Sequence, residues 1–139
     1  MALGYIGGKH YHIEEYVYDF AKDGGAIGQV ILSSKSGSAA IPVDACILRI
    51  HTVVHTALTS AGSATVSVGD VGSAARYLAL TAFDNAAYDL DAVKALATAL
   101  PNSVNSVNEG RVAISIAVAA LTAGKLSVLV EFVRPESAQ

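Results

Sequence analysis

A chain of 139 residues can bury one hydrophobic core unaided, and its single cysteine, Cys46, excludes an internal disulfide framework or a zinc site built on several cysteines. Nine basic against twelve acidic residues leave a net charge of −3, which argues against a nucleic-acid-binding patch. Charged residues make up only 15% of the chain, where a soluble domain usually carries about 25%, so much of the surface is expected to be shared with other chains.

In chain order, residues 1–10 are glycine-rich with isolated apolar residues, Leu3, Tyr5 and Ile6. They read as a flexible arm that orders on a partner. The start lacks a charged segment followed by a long apolar run, so no signal peptide is expected, and no stretch approaches the ~20 apolar residues of a membrane span. Tyr11 to Phe20 is rich in β-formers, and both of its faces carry charge, which suits an edge strand. Lys22-Asp-Gly-Gly25 signals a turn, Ile27 to Leu32 a short strand, and residues 33–38 a polar loop.

Val43 to His55 alternates strictly and reads as a long strand. Cys46, Leu48, Ile50, Thr52 and Val54 are placed inward, and Arg49, His51 and His55 outward. The turn at 59–63 and the run Ala64 to Val68 predict a hairpin with that strand. Ala74 to Ala82 fits a short helix or a strand. Asp91 to Leu100 places Val93, Leu96 and Leu100 at helical spacing, with Asp91 as a cap and Pro101 beyond, which predicts a short helix. Residues 102–110 are turn formers. Arg111 to Ala119 returns to period two, with Val112, Ile114, Ile116 and Val118 on one face. Small residues (Ala113, Ser115, Ala117 and Ala119) line the other, and leave room for a backbone to approach. Thr122-Ala-Gly124 is read as a turn, and Lys125 to Val133 as the last strand, with Leu126, Val128, Val130 and Phe132 inward.

About six strands and at most one or two short helices predict an all-β, or mainly β, fold. The expected form is an antiparallel two-sheet sandwich or a flattened barrel. One domain is expected over residues 11–135, with 136–139 as a tail.

No residue pattern supports catalysis, a cofactor or a metal. His51 and His55 have the spacing of a helical zinc motif, but on a strand they lie about 13 Å apart, too far to share an ion. His10 and His12 have no evident third ligand. Asp84, Asp89 and Asp91 read as loop and capping acids. Glu14 and Glu15 point to opposite faces. No serine sits in a nucleophile elbow, and no glycines form a phosphate loop.

The stretch Ile41-Pro-Val-Asp-Ala-Cys-Ile-Leu-Arg-Ile-His-Thr-Val-Val-His-Thr-Ala-Leu-Thr-Ser-Ala-Gly-Ser-Ala-Thr-Val-Ser-Val-Gly69 resembles small structural proteins of tailed bacteriophages. So do Leu90-Asp-Ala-Val-Lys-Ala-Leu96 and Ala120-Leu-Thr-Ala-Gly-Lys-Leu-Ser-Val-Leu-Val-Glu-Phe-Val133. The resemblance covers roughly residues 40 to 133 and implies a head decoration, or cement, protein. Such a protein would be made in the bacterial cytoplasm and sit on the virion surface as a homotrimer. It would bind the major capsid protein, with no enzymatic activity and no nucleic acid or membrane as partner. Tyr5, Ile6, Tyr11, Tyr16, Tyr18, Arg49, His51 and His55 are the candidate capsid or oligomer interface. The alternative is a head-fibre or tail-associated module that binds a receptor or glycan, with Tyr5, Tyr11, Tyr16, Tyr18, Tyr77 and Tyr88 as a sugar-stacking surface.

Overall fold

A computed structural model describes residues 11–36, 40–43, 45–96 and 110–134. The arm at 1–10, most of the 102–110 loop and the 136–139 tail lie outside these residues. Strand β1 (Tyr11–Asp19) runs into a single helical turn, α1 (Phe20–Asp23), which Asp19 caps by accepting the Ala21 amide. Then follow β2 (Gly28–Ile31), β3 (Ser33–Ser34), β4 (Cys46–Ser60), β5 (Thr65–Asp70) and β6 (Leu78–Ala82). A 3₁₀ turn at Ala86–Tyr88 leads to β7 (Val93–Leu96), β8 (Val112–Ala117) and β9 (Leu121–Val133).

All pairings are antiparallel, in two sheets: five strands in the order β3-β1-β9-β4-β7, and four in the order β2-β8-β5-β6. The expected sandwich is therefore the fold. Among the described residues neither sheet closes on itself, so the flattened barrel is set aside.

The core is the inward half of each strand. Tyr16 and Tyr18 of β1, Ile50 and Val54 of β4, and Leu126, Val128, Val130 and Phe132 of β9 face Val66 and Val68 of β5 and Val112, Ile114 and Ile116 of β8. Each large side chain so buried contributes about 1.5–3 kcal/mol of transfer free energy. Tyr18 gives its hydroxyl proton to the Gly24 carbonyl at 2.7 Å, and Tyr88 to the Val66 carbonyl at 2.8 Å, so these two phenols enter the core without stranding a donor.

Several expectations are corrected. The long strand runs from Cys46 to Ser60, not from Val43 to His55, and its alternation changes phase. Ile47 pairs with Phe132 and Arg49 with Glu131, so Leu48 is an extra, bulged residue. Ile47 consequently points inward, whereas Leu48 is 42% exposed and Cys46 only half-buried. The predicted hairpin is an arch: β4 and β5 belong to different sheets. The last turn comes earlier than Thr122-Ala-Gly124, at Val118–Ala120, where Val118 takes a φ of 71° and is 70% exposed. Gly124 instead lies within β9 at a φ of 143°, opposite the irregular register between Thr56 and Thr59. Val93–Leu96 is a strand because its backbone completes the β4 edge from Ile50 to Val53, a tertiary pairing that overrides helical spacing. Leu78–Ala82 settles as a strand as well.

Candidate interaction surface

The five-stranded sheet has one face in the core and one facing out. Residues directly opposite across antiparallel strands share a face. The register therefore lays out cross-strand rows on the outward side: Ile13, Glu131 and Arg49; Glu15, Leu129 and His51; Val17, Ser127, Val53 and Val93; and Asp19 with Lys125. Apolar side chains are interleaved with charged ones, and Ile13 (60%) and Val93 (67%) are well exposed.

The polar members hold one another across strands. Glu131 of β9 accepts the hydroxyl proton of Tyr11 from β1 and lies 3.4 Å from Arg49 Nε of β4. The Glu131 hydrogen bond favours the neutral phenol and pushes the Tyr11 pKa up. One row over, Ser127 Oγ donates to Glu15 Oε2 at 2.5 Å, and His55 Nε2 lies 2.9 Å from the same hydroxyl. A serine has one proton. Since Glu15 takes it, His55 meets the hydroxyl as donor, from Nε2. Lys35 Nζ is 3.7 Å from Glu15, and Lys125 Nζ 3.9 Å from Asp19.

This arrangement is not a nucleophilic site. A triad needs the histidine between acid and serine, with a bare nitrogen facing the hydroxyl. Here the serine stands in the middle, is 1% exposed, and gives its proton to the carboxylate. Among the described residues no group of three or more His, Cys, Asp or Glu side chains could hold a metal. His12 stacks on Phe132, with ring centroids 5.2 Å apart. A surface depression of about 470 Å³ is lined by Gly62, Ser63, Ala64, Thr65, Ala82, Phe83 and Asp84, with no histidine and no cation beside the Asp84 carboxylate.

Of the eight interface candidates, Tyr11, Arg49, His51 and His55 converge on this one outward face. Tyr16 and Tyr18 are corrected. Both are fully buried, because β1 turns its even residues into the core, and they offer no side-chain surface to a partner. Tyr5 and Ile6 lie outside the described residues. The sugar-stacking surface loses its basis for the same reason, since Tyr77 and Tyr88 are buried too. Sequence reading missed Glu15, Ser127 and Glu131 as partners of those candidates. The odd positions of Lys125 to Val133 marked an outward face, but the partnership needs the β1–β9–β4 register.

The fold recurs in phage capsids. A chain of the cyanophage Pam1 capsid asymmetric unit matches with a TM-score of 0.65 at 24% identity, over 90% of this chain and 85% of that one. A chain in the acid-stable capsid of Helicobacter pylori bacteriophage KHP30 matches with a TM-score of 0.60 at 17% identity, covering 92% and 90%. A chain of the Ralstonia phage GP4 capsid gives 0.54 at 12%, covering 89% and 85%. At these identities the likeness establishes the fold. No family model matches the sequence, and no curated protein does.

Proposed function

We propose that this chain is a non-enzymatic structural component of a bacteriophage head. More specifically, it is a decoration protein that binds the outside of the shell as a homotrimer and cements contacts between capsomers. The observation that carries the reading is the near end-to-end likeness of its fold to chains in three phage capsid structures. The charge-poor composition adds support, since a large shared surface tolerates few charges. The outward face with Tyr11, Arg49, His51 and His55 is the side assigned to the shell or to a neighbouring subunit.

The mechanism is multivalent clamping. Each subunit makes a modest contact with the major capsid protein, and linking the contacts in a symmetric oligomer raises avidity by orders of magnitude on a repeating lattice. The bound oligomer then opposes outward movement of the shell when DNA fills it.

The test is light scattering on the purified chain, followed by co-sedimentation with undecorated heads of the phage that encodes it. A trimer that sediments with heads and raises their resistance to heating is the expected result. A monomer with no affinity for heads overturns the proposal. The receptor- or glycan-binding alternative keeps no structural support once four of its six tyrosines are buried.

A further inference from the structure

Beside α1, the outward face of the five-stranded sheet ends in a shallow groove. One depression of about 240 Å³ has Val17, Asp19, Lys22, Asp23, Lys35 and Lys125 among its walls. A second, also of about 240 Å³, is lined by Glu15, Val17, Lys35, His55, Lys125 and Ser127. Val17, Lys35 and Lys125 belong to both, so the two depressions meet there. The register explains the gathering. Val17 lies opposite Ser127 of β9 and Ser33 of β3, and Asp19 lies opposite Lys125. Lys22 follows on the helical turn that Asp19 caps, and Lys35 on the segment leaving β3. Half-buried Val17 is the apolar floor, and three of the chain's five lysines stand exposed around it.

The two signs of charge are not equivalent here. The carboxylates are committed inside the fold. Glu15 takes the Ser127 proton, Asp19 the Ala21 amide at 3.1 Å, and Asp23 the Asp19 amide at 3.0 Å. The ammonium groups hold nothing so closely. Lys35 stops 3.7 Å from Glu15 and Lys125 3.9 Å from Asp19, beyond hydrogen-bond length. Among the described residues Lys22 has no acidic partner within 4.0 Å. Exposed pairs this loose contribute little, and each ammonium carries three donors. The cations are also outermost. The Lys35 side chain is 67% exposed against 28% for Glu15, and Lys125 45% against 34% for Asp19. A partner therefore meets three lysines with unused donors over an apolar floor.

We infer that this groove binds a protein segment rich in aspartate or glutamate, with its carboxylates set between Lys22, Lys35 and Lys125. The inference rests on the proposed function only for the source of that segment, the exposed surface of the shell. The chemistry favours a carboxylate over a phosphate. The described residues lining the groove include no arginine, whose planar fork suits phosphate. Flexible lysine point charges around a valine floor suit an acidic side chain, whose methylenes rest on the floor while its charge reaches the rim.

Titrating a hexaglutamate peptide into the full chain at about 0.05 M salt tests the site. Binding should move the NMR signals of Val17, Lys35 and Lys125. The K22Q/K35Q/K125Q variant should bind the peptide about tenfold more weakly with an unchanged circular dichroism spectrum. The difference should disappear at about 1 M salt, where charges are screened within ~3 Å. Should the triple variant unfold, Lys22→Gln and Lys35→Gln singly serve instead, each with about a twofold loss. Equal peptide binding by wild type and variant overturns the inference. A hexathymidylate strand that binds as tightly as the peptide overturns it in favour of phosphate. Undecorated heads give the second readout, and the triple variant should co-sediment with them about tenfold more weakly than the wild type. A variant that binds heads as well as the wild type overturns the assignment of the segment to the shell and leaves the cement reading standing. A wild-type chain that ignores heads, yet binds the peptide through these lysines, removes the cement reading and upholds the groove.

Discussion

The outward face of the five-stranded sheet is an open ladder in which Glu15, Ser127 and His55, and Tyr11, Glu131 and Arg49, hold hands across three strands. The four-stranded sheet turns small residues outward, Ser67 and Gly69 on β5 and Ala113 on β8, and covers them with its own chain. Ser67 Oγ donates to the Ala74 carbonyl at 2.8 Å, and a Cβ on Gly69 would stand 2.2 Å from the Ser73 carbonyl oxygen. Asp70, fully buried, anchors that covering segment. It accepts the Ser73 amide at 2.7 Å and pairs with Arg76 Nε at 2.5 Å. The difference teaches what each outward pattern is for. Small residues let backbone come within contact distance, and here the backbone that comes is the chain's own. Long polar side chains satisfied among themselves keep a face soluble and open to a partner.

The strongest way to disturb both faces is to attack the core they share. Burial pushes the Tyr16 and Tyr88 pKa values well above the ordinary 10, and that of Tyr18 up to about 12. The neutral phenol is the form the fold holds. Its stabilisation is complete below pH 10, where both states are protonated, and is lost as pH rises past 10 because only the unfolded chain ionises readily. Tyrosinate absorbance should therefore rise together with loss of β-structure on alkaline titration. Independent titration of all six phenols in a folded chain would contradict the burial.

The sealed face should be the costlier to breach. Asp70→Ala removes a fully buried acceptor that the Ser73 amide and the Arg76 guanidinium both use, and should cost about 3 kcal/mol in denaturant unfolding. On the open face, Ser127→Ala removes one buried hydroxyl shared by Glu15 and His55, and should cost about 1 kcal/mol by the same measurement. Arg49→Ala breaks an exposed pair, and should cost no more than about 0.5 kcal/mol, fading as salt is added. A reversed ranking of Asp70 and Arg49 would undo the contrast between the two faces.

Much of the fold was legible because period two survives wherever a strand is regular. The inward set Leu126, Val128, Val130 and Phe132 is buried as the alternation predicts, and so are Val112, Ile114 and Ile116, whereas Val118, expected on the same face, is exposed in the turn. The failures share a cause. The bulge at Leu48 and the arch after Ser60 leave no mark on composition, since each is set by which strand lies alongside. The same holds for Val93–Leu96, whose helical spacing yields to an unfilled sheet edge. For the surface, the sequence marked Arg49 and His51 as outward but turned Tyr16 and Tyr18 to the wrong side. An edge-like mixture of charge and aromatics does not say which parity of β1 faces in.

The position of β9 has a consequence for how the chain acquires its structure. It is the central strand of the five, flanked by β1 and β4, and among the described residues it is also the last strand in chain order. Its partners precede it by some hundred residues on one side and by more than sixty on the other, so loop closure must be met before any of these pairings is rewarded. During synthesis β1 and β4 emerge long before the strand that joins them. Until β9 has emerged, the sides of β1 and β4 that it joins wait for their partner, and this sheet cannot close around its centre before then.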